Sequence, residues 1–178
     1  LLTAPIYSDA GIPLVVPTAT SGRLWEVGGW IFPMAPSDSV EAAFLGQVAV
    51  EGLKATRIAV YFVNSAYGTG IRTELDRWLA ARELAPVDEV PYVIGADLET
   101  LVEASVRRSR PDLVVLVGRR IEVARMAALL FDLDPSIRLL AADGAYDQLA
   151  ELISEAGPAA DSLYLTTFWV AATTVPLQ

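Results

Sequence analysis

From residue 55 onward, short apolar runs alternate with longer segments in which apolar residues recur at helical spacing. Continuous apolar runs of this length are typical of parallel strands covered on both faces, so we predict a strand for each. The predicted strands cover 56–64, 87–94, 111–118, 136–143 and 162–169, and the predicted helices cover 67–85, 96–109, 120–133 and 146–157. This alternation predicts an α/β fold built on a doubly wound parallel sheet.

The first 54 residues have a different pattern. A helix that ends at Gly11 is followed by a strand at 12–17 and a second short apolar run at 30–36. Two helices and one or two strands cannot cover one another. We therefore expect 1–54 to be part of one α/β lobe and 55–169 to be another, complete lobe.

A helix at 37–53 closes this first segment. Ser37 or Asp38 is its predicted N-cap, and Glu41 lies near the position that completes a capping box. Its predicted apolar face consists of Val40, Phe44, Leu45 and Val48.

Composition narrows the class of protein. The 178 residues are 53% hydrophobic and 20% charged, which is typical of a globular protein. The formal net charge of −9 would repel a nucleic acid or an anionic membrane, and the arginine clusters at 107–110 and 119–120 are too short to reverse this. No apolar run approaches the roughly 20 residues that a membrane span needs.

The absence of Cys and His excludes several kinds of chemistry. Thiol nucleophiles, His-based triads and metal sites built on Cys or His cannot form. Carboxylates, Lys, Tyr and Ser are the groups that remain for any catalysis.

Parallel sheets place ligands beyond the carboxyl ends of their strands, where the strand order reverses. With the common order 2-1-3-4-5, the loops at 64–70 and 118–120 meet at that point, and the loop at 142–147 lies next to them. These loops nominate Asn64, Ser65, Tyr67, Arg119, Asp143 and Tyr146. Asn64 and Asp143 are equally suited to turns or caps, and Tyr67 to packing. Arg119 at a helix start opposes the helix dipole, so it is either a solvated residue or has a functional use.

A second group of polar residues follows the strand at 12–17. Thr18, Thr20 and Ser21 stand together where that strand ends. Such residues form turns and helix caps, or they hydrogen-bond a small polar ligand, and the residues alone leave both interpretations open.

Other binding motifs match poorly. The stretch GTGIRT at 68–73 approaches a dinucleotide fingerprint, but Thr73 stands where the third Gly or Ala is needed. The strand at 56–64 also ends without the acidic residues that a phosphoryl-accepting receiver would need.

Several motifs, in order and spacing, resemble the type I periplasmic binding proteins, and among them the leucine/isoleucine/valine-binding proteins of ABC transporters. They are APIYSDAGIPLVVPTATS, FPMAPSDSVEAA, RIAVYFVNSAYGTG, PDLVVLVG, EVARMAALL and AADGAYD. The resemblance implies two α/β lobes that close over a small ligand, with 1–54 in the first lobe, 55–169 as the complete second lobe and 170–178 as the start of the return crossover to the first. It implies binding without a metal, a cofactor or enzymatic activity. It implies an extracytoplasmic protein, periplasmic or extracellular, that delivers an amino acid or related molecule to an ABC permease. The alternative is a ligand-sensing regulatory or receptor domain of the same fold.

The resemblance also assigns roles to residues. In this family a strand-end Ala–Thr pair contacts the ammonium and carboxylate of the bound amino acid, and Ala19 and Thr20 match that pair. The pocket tyrosine of the family's YG motif matches Tyr67, and the acid that pairs with the ligand ammonium matches Asp143.

Two departures from the family pattern change the expectations. Arg119 and Arg120 stand where branched-chain binders commonly have an aromatic residue, which favours a ligand with an acidic or polar group. The family's first strands, with a serine loop that grips the ligand carboxylate, would precede Leu1. We therefore expect an excerpt of a longer protein that self-associates when studied alone.

Overall fold

The computed structural model describes residues 2–168, in which helices and strands alternate along the chain. The elements are α1 (Ala4–Asp9), β1 (Leu14–Val16), β2 (Ile31–Pro33), α2 (Asp38–Gln47), β3 (Ile58–Val63), α3 (Ala66–Ala80), β4 (Asp88–Tyr92), α4 (Leu98–Ser109), β5 (Leu113–Val117), α5 (Arg120–Leu133), β6 (Arg138–Ala141), α6 (Leu149–Ala156) and β7 (Leu163–Leu165). Short 3₁₀ turns cover Gly22–Glu26, Asp143–Ala145 and Gly157–Ser162, and α2 continues into a π-helical turn at Val48–Gly52.

Five of the strands form one parallel sheet in the order β4-β3-β5-β6-β7. This is the order 2-1-3-4-5, so the predicted sheet and its strand order are confirmed. β1 and β2 pair separately as a parallel two-stranded sheet. Each residue of β3 and β5 is buried, because helices cover both faces of the large sheet.

The two faces of the sheet have different helices. Val102 of α4, Leu130 of α5 and Leu152 of α6 pack in the core on one face. Ile71 and Leu75 of α3 pack on the other. The fold is therefore doubly wound, as the alternation of elements predicts.

Helix α2 packs differently from its predicted apolar face. Val40 and Phe44 are 58% and 52% exposed, so that part of the prediction is wrong. Leu45 and Val48 pack in the same core as α3, as predicted, and the other buried residues on this side are Ala42 and Ala49. Small residues are favoured on this face because α2 lies very close to α3. A Cβ on Gly46 would collide with the ring of Trp78.

The predicted capping box is also absent. Ser37 is the N-cap residue, but its side chain makes no capping hydrogen bond. Glu41 points away from the helix start. Its Oε1 accepts hydrogen bonds from the backbone N–H of Asp143 and from the hydroxyl group of Thr166.

Several element ends differ from the sequence prediction. The helix expected at 146–157 begins only at Leu149, because Asp143–Ala145 forms a 3₁₀ turn first. The strand expected at 162–169 is limited, among the described residues, to Leu163–Leu165. The predicted crossover at 170–178 lies outside the described residues. Within the described chain, no helix is both long and apolar enough to cross a bilayer.

Candidate functional site

A cavity of about 670 Å³ lies at the carboxyl ends of the strands of the large sheet. Its volume falls in the range usual for small-molecule sites, roughly 300–1,000 Å³. The loops after β3, β4, β5, β6 and β7 all contribute to it, and the segment after β1 forms the opposite wall. The lining residues are Thr18, Ala19, Thr20, Ser21, Leu24, Asp38, Val63, Ser65, Ala66, Tyr67, Ile94, Arg119, Asp143, Gly144, Asp147 and Phe168.

The structure brings most of the sequence-predicted site residues together in this cavity. They are Thr18, Ala19, Thr20, Ser21, Ser65, Tyr67, Arg119 and Asp143. Asn64 and Tyr146 are not among the lining residues. The backbone N–H of Asn64 donates to the carbonyl of Tyr92 at 2.7 Å, and that of Tyr146 donates to the carbonyl of Asp143 at 2.8 Å, so both N–H groups hold loops in place.

Tyr67 reaches the cavity from the first turn of α3. Ser65 caps this helix, and its Oγ accepts a hydrogen bond from the Gly68 N–H at 3.3 Å. The Tyr67 hydroxyl donates to Asp143 Oδ1 at 2.6 Å and accepts from the Gly144 N–H at 3.1 Å. Burial, and then the negative charges of Glu41 and Asp143, raise the pKa of Tyr67, so the hydroxyl keeps its proton.

Glu41 is hydrogen-bonded to Asp143 and was not predicted as a site residue from the sequence. Its carboxyl group accepts the Asp143 N–H at 2.6 Å, and the residue is 8% exposed. Burial, followed by hydrogen bonding to and repulsion from the Asp143 side chain, raises the pKa of Glu41 to about 8. One pattern could have revealed it: Glu41 precedes the buried Leu45 by four residues and so shares its helix face.

Asp38 is a second carboxyl group, which the sequence predicts only as a possible helix N-cap. It lines the cavity with 7% exposure, and its backbone N–H donates to the Thr20 carbonyl at 2.8 Å. Burial raises the pKa of Asp38, a hydrogen bond from Thr20 lowers it, and the charge of Asp143 raises it again. Asp38 therefore ties the segment after β1 to the start of α2.

The two arginines that follow β5 have different positions. Arg119 is the N-cap residue of α5, faces the cavity and forms no ion pair within residues 2–168. Arg120 turns away and binds Glu151 at 3.2 Å and Glu155 at 2.7 Å, which joins α5 to α6. Of these two arginines, only Arg119 can contribute positive charge to the cavity.

The lining combines acidic, hydroxyl and apolar groups. Asp38, Asp143 and Asp147 carry carboxyl groups there, against the single guanidinium of Arg119, and Ile94 and Leu24 add apolar surface. The described residues hold no cluster of three or more acidic side chains arranged to bind a metal ion. The cavity therefore suits a small organic molecule with at least one cationic group.

A cavity at the strand ends of a doubly wound parallel sheet is the architecture of α/β proteins that bind small ligands. A family model described as periplasmic binding protein matches residues 1–177. The chain therefore belongs to the periplasmic binding protein family. A comparison with curated proteins gives no match.

Solved structures confirm the fold. A leucine-binding protein from Thermotoga maritima has a TM-score of 0.85 at 22% identity, covering 98% of this chain and 49% of its own. A branched-chain amino acid transporter protein from Thermus thermophilus with bound valine has a TM-score of 0.84 at 20% identity, covering 98% of this chain and 45% of its own. A substrate-binding protein from Streptococcus pneumoniae in complex with isoleucine has a TM-score of 0.77 at 21% identity, covering 96% of this chain and 48% of its own. The chain thus spans about half the length of each.

Proposed function

We propose that this chain is part of an extracytoplasmic solute-binding protein that captures an amino acid, or a related small polar molecule, for uptake by an ABC transporter. The observation that carries the proposal is the meeting of Ala19 and Thr20 with Tyr67 and Asp143 across one cavity. One similar structure is of a leucine-binding protein, and two others hold bound valine or isoleucine, which supports an amino acid as the ligand class.

The ligand's ammonium group binds Asp143 in this proposal. A cation in a closed cleft needs a charge partner, because an unpaired buried charge is very costly. The Tyr67 hydroxyl fixes the Asp143 carboxylate by donating to Oδ1. Ala19 and Thr20 contact the ligand from the opposite wall, through backbone groups and the Thr20 hydroxyl.

The cavity lies between two lobes in this proposal. The first lobe contains β1 and β2, and the second contains the five-stranded sheet. The expected boundary at residue 54 stays a prediction, and the packing of α2 with α3 in the core of the large sheet supports a boundary nearer residue 37 in this proposal. Closure of the two lobes would bring Thr20 and Asp143 onto opposite sides of the ligand.

The proposed role is binding without catalysis. The protein works outside the cytoplasm, in the periplasm or on the cell surface, and a permease is its partner. Neighbouring permease and ATPase genes would favour transport over the alternative, a sensory domain of the same fold.

A thermal-shift screen of the full-length protein tests the proposed function. The panel contains the common amino acids, small amides and carboxylates. A ligand present at about 100 times its Kd stabilises the folded state by roughly 2.7 kcal/mol, which is well above the resolution of such a screen. A panel in which no amino acid shifts the melting temperature would contradict the proposal.

Arg119→Leu is expected to shift ligand preference from acidic towards apolar amino acids. The guanidinium group faces the cavity without an ion-pair partner in the described chain, and its fork suits a carboxylate on the ligand. Calorimetry with L-glutamate and L-leucine measures the shift. Arg107→Leu on α4 is the matched control, since Arg107 is exposed and paired with Glu103 on its own helix. An unchanged preference would make Arg119 an ordinary surface residue.

The 178-residue chain alone is expected to self-associate and to bind amino acids only in the millimolar range, roughly 4 kcal/mol of binding free energy. Val15, Trp30, Phe32 and Phe44 are 46–59% exposed, and exposed apolar patches drive association. Ile31, between Trp30 and Phe32, is buried with Ala4 and Leu24 and adds nothing to this patch.

Light scattering and calorimetry on the same sample test this expectation. Phe32→Lys should reduce the associated fraction, because it places a charge on the exposed patch. A monodisperse monomer with micromolar affinity would show that the chain is self-sufficient.

A further inference from the structure

The carboxyl groups of Glu41 and Asp143 face one another at the edge of the cavity. Asp143 lines the main cavity and also a neighbouring one of about 250 Å³, whose wall includes Glu41, Val40, Phe44 and Phe168. Asp143 lies in the walls of both cavities, whereas Glu41 lines only the smaller one, so a cation can meet both carboxyl groups where the two cavities adjoin at Asp143. Asp143 is the proposed partner of the ligand's ammonium group, so an inference about this pair of carboxyl groups rests on the proposed function.

One oxygen of Glu41 is satisfied and the other is not. Oε1 accepts from the Asp143 N–H at 2.6 Å and from the Thr166 hydroxyl at 3.1 Å. Oε2 is buried and has no hydrogen-bond donor within the described residues. The residue as a whole is only 8% exposed, so water cannot readily supply a donor. A buried carboxyl oxygen without a donor is costly, so this atom needs either a proton of its own or a cationic partner.

The charged and titratable groups around Glu41 are acidic. Asp143 approaches from the loop after β6, Tyr67 from α3, and Asp38 lies one turn earlier on α2 and interacts with Asp143. Neither Glu41 nor Asp143 forms an ion pair with a Lys or Arg of the part of the chain that the structure describes. Two ionised carboxyl groups this close repel one another, and they can share a hydrogen bond only when one of them carries a proton.

We propose that Glu41 and Asp143 bind the ligand's ammonium group as a pair, and that the pair releases one proton to solvent when the ammonium enters. In the free protein the proton sits on the Glu41 carboxyl group. On binding, the ammonium N–H groups donate to Asp143 and to Glu41 Oε2, and the Glu41 proton passes to bulk water. The pair then has two negative charges, one of which the ammonium group balances.

This exchange makes ligand affinity depend on pH. The pKa of Glu41 in the free protein is about 8, so below pH 8 the incoming ammonium must displace a proton. Releasing one proton per ligand weakens binding by up to about tenfold for each pH unit lowered between pH 8 and pH 6. The neighbouring carboxylate of a free amino acid keeps the pKa of its amino group well above 8, so the ligand stays protonated over this range and the slope reports on the protein.

Calorimetry of the full-length protein with L-leucine, L-isoleucine and L-valine tests the inference. Titrations at pH 7 in phosphate and in Tris, whose ionisation enthalpies differ, give the number of protons released. We expect close to one proton per bound ligand for the unaltered protein. Glu41→Gln should release none and should bind with an affinity that is flat between pH 6 and 8. Glu51→Gln, an exposed carboxyl group just past α2, is the matched control and should leave the proton count unchanged.

The outcomes separate the inference from the proposed function. If no amino acid binds, both are overturned. If an amino acid binds to the unaltered protein without buffer-dependent heat, the inference alone is overturned, and this result does not depend on whether any variant folds. Proton release that persists in a folded Glu41→Gln variant also overturns the assignment to Glu41.

Discussion

Asp143→Asn is expected to weaken the binding of every α-amino acid by about 2–5 kcal/mol, the scale for breaking one side of a buried, hydrogen-bonded charge pair. This corresponds to a loss of affinity from about 30-fold to several thousand-fold. The asparagine keeps an oxygen for the Tyr67 hydroxyl, which donates to Asp143 Oδ1 at 2.6 Å, so the loop after β6 should keep its place. The loss would then report on charge.

Asp147→Asn is the matched control, because Asp147 lines the same cavity but is exposed. It should change affinity by less than about 1 kcal/mol, as is usual for an exposed charge. Calorimetry on both variants of the full-length protein makes the comparison. Unchanged affinity in Asp143→Asn would reject either Asp143 as the ammonium partner or amino acids as the ligand class.

The sheet could be predicted from the sequence because its central strands, β3 and β5, are buried on both faces. Runs such as the one at 113–117 are apolar throughout, and only a covered parallel strand buries such a run completely. Once the alternation of strands and helices is clear, few topologies remain, and the common strand order was the right one. The loops that line the cavity follow from that order, which is why Tyr67, Arg119 and Asp143 could be nominated.

The packing of α2 could not be predicted in the same way. Large apolar residues usually mark the buried face of a helix. In α2 that pattern is right for Leu45 and Val48 but wrongly includes Val40 and Phe44. The buried face also contains Ala42, Gly46 and Ala49, whose small side chains let α2 lie close to α3. That effect is visible only when the partner helix α3 is in place.

The same packing explains which site residues were missed. Asp38 and Glu41 lie in the first turn of a helix, where acidic residues usually serve as caps or complement the helix dipole. The contact of α2 with α3 carries this turn to the carboxyl ends of the strands, next to Asp143. The sequence gives no sign of a contact between residues 102 positions apart.

Gly68 is the residue that lets α3 begin directly against the end of β3. A Cβ at this position would collide with the carbonyl oxygen of Val63, which is a backbone atom and cannot turn aside. Because Gly68 follows Tyr67, the same close approach helps to place the Tyr67 hydroxyl on Asp143. The glycine therefore connects the stability of the lobe with the geometry of the site.

Gly68→Ala is accordingly expected to destabilise the full-length protein by about 3 kcal/mol, at the upper end of typical overpacking costs. It should also weaken amino-acid binding, since the shift needed to relieve the collision moves Tyr67. Chemical denaturation and calorimetry measure the two effects. Gly52→Ala is the matched control, because the nearest atom to its added Cβ is a side-chain carbon of Val48 at 4.0 Å. If Gly68→Ala has the same stability and ligand affinity as Gly52→Ala, the start of α3 can move freely. The contact between Gly68 and Val63 would then not hold Tyr67 in the site.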